Sequence, residues 1–199
     1  MSWWSRKKVK RGLRRGIKIL LISDFFAALG VGMIGPIYAI FVEKIGGDIL
    51  DASWAYFAFM VSCGVVLYMM GLWENKVKNK GFFVVLGYAL NALGCLSYIF
   101  VNSQFSLVIT QIILGFGQAV LSPVFDSLYS DYVNEEDKAK EWAYWESMLY
   151  ITNAAAALIG GYFVKGFGFK SLFIMMFIIS LFSVFASLGM LRKKKELSK

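Results

Sequence analysis

Polar side chains recur along one side of an otherwise apolar stretch at residues 106–129. At 100° per residue, a helix places within about 80° of one another the residues Gln111, Gly115, Gln118, Ser122 and Asp126. Amides, a hydroxyl and a carboxylate are costly against lipid tails, so this side must face other helices or a water-filled cavity. Two interpretations stay open. The stripe either holds helices together by hydrogen bonds or forms the wall of a solute pathway, which we favour.

Two other apolar stretches also carry polar or ionisable groups. Asp24 lies inside residues 17–42, on the same helical face as Tyr38, and Glu146 shares a face with Asn153 in a later stretch. An ionisable side chain within a membrane segment is a functional candidate by default. We expect Asp24 to bind a proton or a cation, although it could instead reach the interface or pair with the basic residues that precede it.

The elements that would position these residues are membrane-spanning helices. The chain has 199 residues, of which 58% are hydrophobic and 17% are charged, and its apolar runs approach 20 residues. These values indicate an all-α integral membrane protein, because helices satisfy their own backbone groups in lipid. We predict six spans, at residues 17–42, 52–73, 81–100, 106–129, 142–164 and 171–191. The last span has no charged residue, and only Ser and Gly interrupt its apolar side chains, so we expect it to face lipid nearly all round.

The distribution of cations predicts the orientation. With a cytoplasmic N-terminus, eighteen Lys and Arg residues lie inside, whereas three, Lys44, Lys165 and Lys170, lie outside. The positive-inside rule therefore places both basic tails, residues 1–16 and 192–199, in the cytoplasm, beside anionic lipid headgroups of a prokaryotic-type cytoplasmic membrane. The net charge of +8 is explained by these tails and loops, and we expect no nucleic-acid partner.

The residue types leave little for catalysis. The chain has no His, and its two cysteines, Cys63 and Cys95, lie inside apolar runs, where they are typical packing residues. The pattern GxGxxG at residues 30–35 follows no strand and lies in mid-membrane, so it does not indicate a dinucleotide site. We predict no metal, no cofactor and no enzymatic activity.

The loop after the second predicted span carries a family resemblance. It resembles the signature G-x-x-x-D-R-x-G-R-R between the second and third helices of major facilitator superfamily (MFS) transporters. Gly71 and Lys80 match its first and last positions, whereas Asn75 stands for the usual Asp and Lys76 for the usual Arg. The segment that starts at Asp131 is similar to the D-x-V-x-x-E linker before the fifth helix of that family.

Other segments extend the resemblance over about residues 17–191. Pro36 follows a glycine pattern like that of the family's first helix, and Gly115 and Gly117 match R-x-x-x-G-x-G in the fourth, with Gln111 in place of the usual Arg. The resemblance implies one six-helix half of a transporter, built from two inverted three-helix repeats. The family usually has two such halves, with cavities lined by the first and fourth helices of each.

A second six-helix bundle is therefore the expected partner. A single bundle would leave its polar stripes against lipid, and a second copy, a separately encoded half or a shortened chain would each fit this reasoning. We favour a parallel homodimer. The resemblance implies alternating-access transport of a small solute coupled to protons or ions, and we expect Gln111 and Gln118 to contact the substrate. The signature loop would close a cytoplasmic gate, with Lys76 meeting an acid such as Asp131, so the predicted gating residues are Gly71, Asn75, Lys76, Lys80 and Asp131. A non-transporting receptor or scaffold subunit is the alternative.

Overall fold

The structure is a computed structural model that describes the backbone of residues 3–73 and 79–191, and side chains within residues 15–72, 79–134 and 136–191. Every regular element in these ranges is helical, which confirms the all-α prediction for the described residues. The six α-helices of the described residues are α1 (Trp3–Gly32), α2 (Tyr38–Lys44), α3 (Ile49–Trp73), α4 (Lys80–Ser97), α5 (Gln104–Tyr132) and α6 (Lys138–Ser187).

Five stretches of the described residues are long and apolar enough to cross a membrane. They are Arg15–Lys44, Ile49–Leu72, Lys80–Phe100, Gln104–Tyr132 and Lys138–Leu191. The last has 54 residues, which is far more than the ~20 residues that one crossing requires. Its helix is interrupted at Gly168, whose φ of 78° and ψ of 172° are not helical. Such angles are accessible to glycine because it has no Cβ.

Local chemistry explains where the helices begin and end. The first stretch is broken at Gly35–Ile37, a 3₁₀ segment that contains Pro36 and separates α1 from α2. Asp48 precedes α3 and accepts hydrogen bonds from the backbone N–H groups of Leu50 and Asp51, at 2.8 and 2.9 Å. At the start of α5, Ser103 and Ser106 satisfy each other's backbone N–H groups in a capping box. Backbone N–H groups that have no partner within their own helix are thereby satisfied at the starts of α3 and α5.

Packing brings α1 against α6, α3 against α5, and α4 against both α5 and α6. The α4–α5 contact depends on glycines, since a Cβ added at Gly87 would lie 2.6 Å from that of Leu121, and one at Gly117 would lie 2.6 Å from Oδ1 of Asn91. Such close approach is typical of membrane helices, which gain little from the hydrophobic effect on packing together.

The end of α6 differs from the expectation that it faces lipid nearly all round. Its residues form a buried face that contains Leu172, Met176 and three serines. Ser183 and Ser187 donate to the carbonyl oxygens three residues earlier, at 2.6 and 2.7 Å. Their hydroxyls are thus satisfied within their own helix, and the serines serve as small side chains at a helix contact.

Candidate functional site

A cavity of about 660 Å³ lies among α1, α3, α4, α5 and α6. The buried apolar residues of the described chain form two clusters, one that includes Ile34 and Leu114 and another that includes Ala27 and Leu121. These four residues all line the cavity, so both hydrophobic cores contribute to its wall. Its polar wall groups come from all six α-helices and from the 3₁₀ segment after α4: Asp24, Tyr38, Tyr56, Asn91, Tyr98, Gln111, Gln118, Ser122, Asp126, Trp145 and Asn153.

Asp24 connects three helices at this cavity. Trp145 of α6 donates its indole N–H to Oδ2 of Asp24 at 2.6 Å, and the hydroxyl of Tyr88 on α4 donates to Oδ1 at 3.3 Å. Tyr88 is fully buried, whereas Asp24 is partly exposed and borders the cavity. The carboxylate is therefore held in a fixed position by two donors and is still accessible to an ion or a solute in the cavity.

A second polar cluster lies near the N-terminal end of α5. The side-chain amide of Gln111 donates to the hydroxyl of Tyr98 at 2.9 Å, and both residues are buried. The ring of Tyr98 stacks on that of Phe173, with centroids 5.0 Å apart, and Phe41 contacts the same Phe173 ring at 4.8 Å. These aromatic contacts fix the Tyr98 hydroxyl at the cavity wall.

The residues of the predicted polar stripe on α5 have two different environments. Gln111, Gln118, Ser122 and Asp126 all line the cavity. Gly115 instead packs against α3, where an added Cβ would overlap Ser62 and the carbonyl oxygen of Phe59. Asp24 of α1 and Tyr38 of α2, which were predicted to share a helical face, also line the cavity.

On α6 the cavity wall is rotated relative to the predicted face. Asn153 lines the cavity, but the other wall residues of this helix are Trp145 and Leu149. Glu146 is exposed outside this wall, and Tyr150 next to Leu149 is 76% exposed. One step along a helix turns a side chain by 100°, which places Glu146 on a different side from Trp145.

The structure places three of the five predicted gating residues. Gly71 is exposed in the last turn of α3, and Asp131 is exposed near the end of α5. Lys80 begins α4 and donates to the hydroxyl of Ser127 on α5. The other two, Asn75 and Lys76, lie outside the described residues.

The polar face of α4 and its 3₁₀ extension is not among the sequence predictions. Tyr88, Asn91, Cys95 and Tyr98 follow one another at spacings of three, four and three residues and are all buried. That spacing is the mark of one helical face. This spacing could have predicted a shared face for Tyr88, Asn91 and Tyr98. No such pattern identifies Trp145, because tryptophans are common near membrane surfaces.

Compared with known proteins, residues 20–199 match the family model of the Major Facilitator Superfamily. An uncharacterized MFS-type transporter of Methanocaldococcus jannaschii is 25% identical over 158 residues, which cover 79% of this chain and 41% of that protein. The multidrug resistance protein MdtG of Dickeya zeae is 21% identical over 181 residues, with 89% and 44% covered. The methylenomycin A resistance protein of Bacillus subtilis is 23% identical over 164 residues, with 80% and 35% covered.

The chain thus spans less than half the length of these relatives. The family model nevertheless covers nearly the whole sequence, and the matched helices include those that build the cavity. Members of this family are transporters rather than enzymes, and the family and the apolar helices of this chain together indicate a multi-pass integral membrane protein. On this evidence, the chain belongs to the Major Facilitator Superfamily.

Proposed function

We propose that this chain forms one bundle of a secondary transporter that moves a small organic solute across a prokaryotic cytoplasmic membrane by alternating access. The observation that carries the proposal is the cavity in which Asp24 is held by Trp145 and Tyr88. A carboxylate positioned in this way inside a membrane protein is suited to binding and releasing a proton or a cation.

The proposed architecture has six crossings, arranged as two inverted three-helix repeats with both termini in the cytoplasm. The stretch Lys138–Leu191 supports two crossings by its length and by the interruption at Gly168. The excess of cations in the tails and alternate loops supports the orientation.

A second bundle would face the cavity, and a second copy of this chain is the simplest candidate. Gln118 is exposed although it lines the cavity, and an exposed amide is unfavourable against lipid. The protein with the single cysteine Gln118→Cys, made in a background that lacks Cys63 and Cys95, tests this pairing. Because a solute cavity would separate the two copies of position 118 by more than a disulfide can bridge, we expect dimers linked by a bifunctional maleimide in membranes, and native mass spectrometry in mild detergent should give twice the chain mass. Persistent monomer in both measurements would exclude the homodimer.

The names of the relatives suggest a substrate class. Related proteins of several bacteria are named for multidrug, methylenomycin A or quinolone resistance. We infer that this protein exports an amphipathic organic solute in exchange for protons or ions. Gln111 and Gln118 would contact the solute, while Lys76 and Asp131 would contribute to a cytoplasmic gate.

Flux measurements on Asp24→Asn test the coupling role. The protein would be reconstituted in proteoliposomes with a fluorescent quinolone on one side and an imposed proton gradient. The asparagine keeps the shape of the side chain but removes the group that titrates, so we expect proton-driven flux to be lost. Glu43→Gln, at an exposed site at the end of α2, is the matched control. Unchanged proton-driven flux in Asp24→Asn would remove Asp24 from the mechanism.

One observation favours a second candidate, a non-transporting receptor or scaffold. Gln111 replaces the Arg usual in the family's fourth helix, and its amide is bonded within the bundle to Tyr98. A protein that only binds a ligand would show a thermal shift with that ligand but no flux in vesicles, which separates the two candidates.

A further inference from the structure

The hydroxyl of Tyr38 is buried at the cavity wall without a hydrogen-bond partner in the described part of the chain. Among the buried side-chain nitrogen and oxygen atoms of the described residues, it is the only one that lacks a hydrogen-bond partner. The Gln111 amide lies beside it, but the geometry between the two groups falls short of a hydrogen bond. A buried hydroxyl left in this way is costly unless a ligand or water completes it.

A second phenol at the same wall has a proton to donate. Among the hydrogen bonds between described residues, the Tyr98 hydroxyl accepts one from Gln111 and donates none. The ring of Tyr98 is held by Phe41 and Phe173 and is fixed in place. Tyr38 packs against the same hydrophobic core. Tyr38 and Tyr98, each with an O–H group that can donate, thus line one end of the cavity.

The charges of the cavity restrict the group that these donors would bind. Two carboxylates, Asp24 and Asp126, line the wall, and no Lys or Arg is found among its described lining residues. An anionic ligand would therefore meet repulsion without compensation. The donors require an acceptor, so a neutral oxygen such as that of a ketone, an ester or an amide meets both conditions.

We propose that Tyr38 and Tyr98, with Gln111, form a neutral subsite that binds a carbonyl oxygen of the transported solute, with Tyr38 as the main donor. This inference rests on the proposed transport function and names one part of the solute. Fifteen residues of α5 separate Gln111 from Asp126, about 22 Å at 1.5 Å per residue. The subsite is therefore distinct from the carboxylate end, and a different part of the solute would occupy it.

A matched pair of small probes isolates the carbonyl. 4-Fluoroacetophenone and 4-fluoro-α-methylstyrene have nearly the same shape, but the second has a CH₂ group in place of the oxygen. Binding of each to the full chain in lipid nanodiscs would be followed by ¹⁹F NMR. The variants are Tyr38→Phe, which keeps the ring, and Tyr162→Phe, whose side chain is 76% exposed outside the cavity wall.

We expect Tyr38→Phe to weaken binding of the ketone about fivefold, which is the usual worth of one neutral hydrogen bond. Binding of the styrene should change by less than about twofold in the same variant, and Tyr162→Phe should match the unaltered protein for both probes. Partition of the probes into lipid is common to all variants and does not affect the comparison.

Three results would overturn the subsite: equal ketone binding by Tyr38→Phe and the unaltered protein, equal losses for both probes, or no ketone binding at all. These equilibrium measurements involve no flux. The subsite can therefore fail while Asp24-dependent transport stands, and transport can fail in vesicles while the ketone still distinguishes Tyr38 from Phe.

Discussion

Replacing Trp145 by Phe removes the donor that holds Asp24 while keeping an aromatic ring in the same place. The indole N–H lies 2.6 Å from Oδ2 of Asp24, within the range of a strong charge-assisted hydrogen bond. Such bonds contribute about 1.5–3 kcal/mol in water-soluble proteins, but side-chain bonds between membrane helices average about 0.6 kcal/mol. Since Asp24 borders the cavity, water can take the place of the indole. We therefore expect a loss of about 1 kcal/mol in the free energy of unfolding.

Trp142→Phe is the matched control for the loss of ring area. Trp142 and Trp145 contact the same Tyr129 ring, with centroid distances of 5.1 and 5.5 Å, and they contact each other at 5.3 Å. Both variants lose one indole, but Trp145→Phe also leaves Asp24, among the described side chains, with the longer bond from Tyr88 alone. Unfolding would be measured by circular dichroism during titration with sodium dodecyl sulfate in mixed micelles.

A double-mutant cycle with Asp24→Leu assigns the loss to the bond itself. If Trp145 acts through the carboxylate, Trp145→Phe should cost clearly less when Leu occupies position 24, with a coupling energy of roughly 0.5–1.5 kcal/mol. A structural role for this bond is ruled out if Trp145→Phe costs no more than Trp142→Phe, or if its cost is the same in both backgrounds. Either result would mean that the 2.6 Å contact contributes nothing measurable to holding α1 against α6.

Two glycines of α6 give further predictions on stability. Gly160→Val should cost about 2 kcal/mol or more, because a Cβ there overlaps the carbonyl oxygen of Met33, whereas Gly161→Ala meets open space and should be neutral or slightly stabilising. Gly168→Ala should lower the free energy of unfolding by about 1–3 kcal/mol, since φ at this residue is 78°. Its control, Gly166→Ala, should not destabilise the protein, because Gly166 is helical and has open space around it. The same titration measures all four variants. Equal stability within either pair would show that the glycine is not required there.

Much of the fold follows from hydropathy because a bilayer limits the possible elements so strongly. In lipid, a run of about 20 apolar residues has to form a helix. The predicted stretches 52–73 and 106–129 lie within α3 and α5, and the Gly35-Pro36 pair marks the break between α1 and α2. The sequence does not determine how the helices rotate against one another, because lipid and the bundle interior are equally apolar.

The contacts of two serines and one tryptophan could not be predicted from residue spacing. Ser183 and Ser187 were not expected at a buried contact, since their hydroxyls are satisfied locally and leave no requirement for a partner on another helix. Trp145 was overlooked next to Glu146 because a carboxylate is the stronger signal in a membrane segment. The pairing of Trp145 with Asp24 joins residues that are 121 positions apart, and no local pattern carries that information.

The two interpretations of the α5 stripe, structural hydrogen bonding and pathway wall, apply to different residues of it. Gln111 is buried and bonds to Tyr98, so part of its role is to hold α5 against the 3₁₀ segment after α4. Gln118 is exposed, lines the cavity and makes no side-chain hydrogen bond to another described residue. An amide used only to hold helices together would be bonded, because an unpaired amide against hydrocarbon costs more than an apolar side chain. The difference between Gln111 and Gln118 therefore favours a water-filled pathway at the level of Gln118.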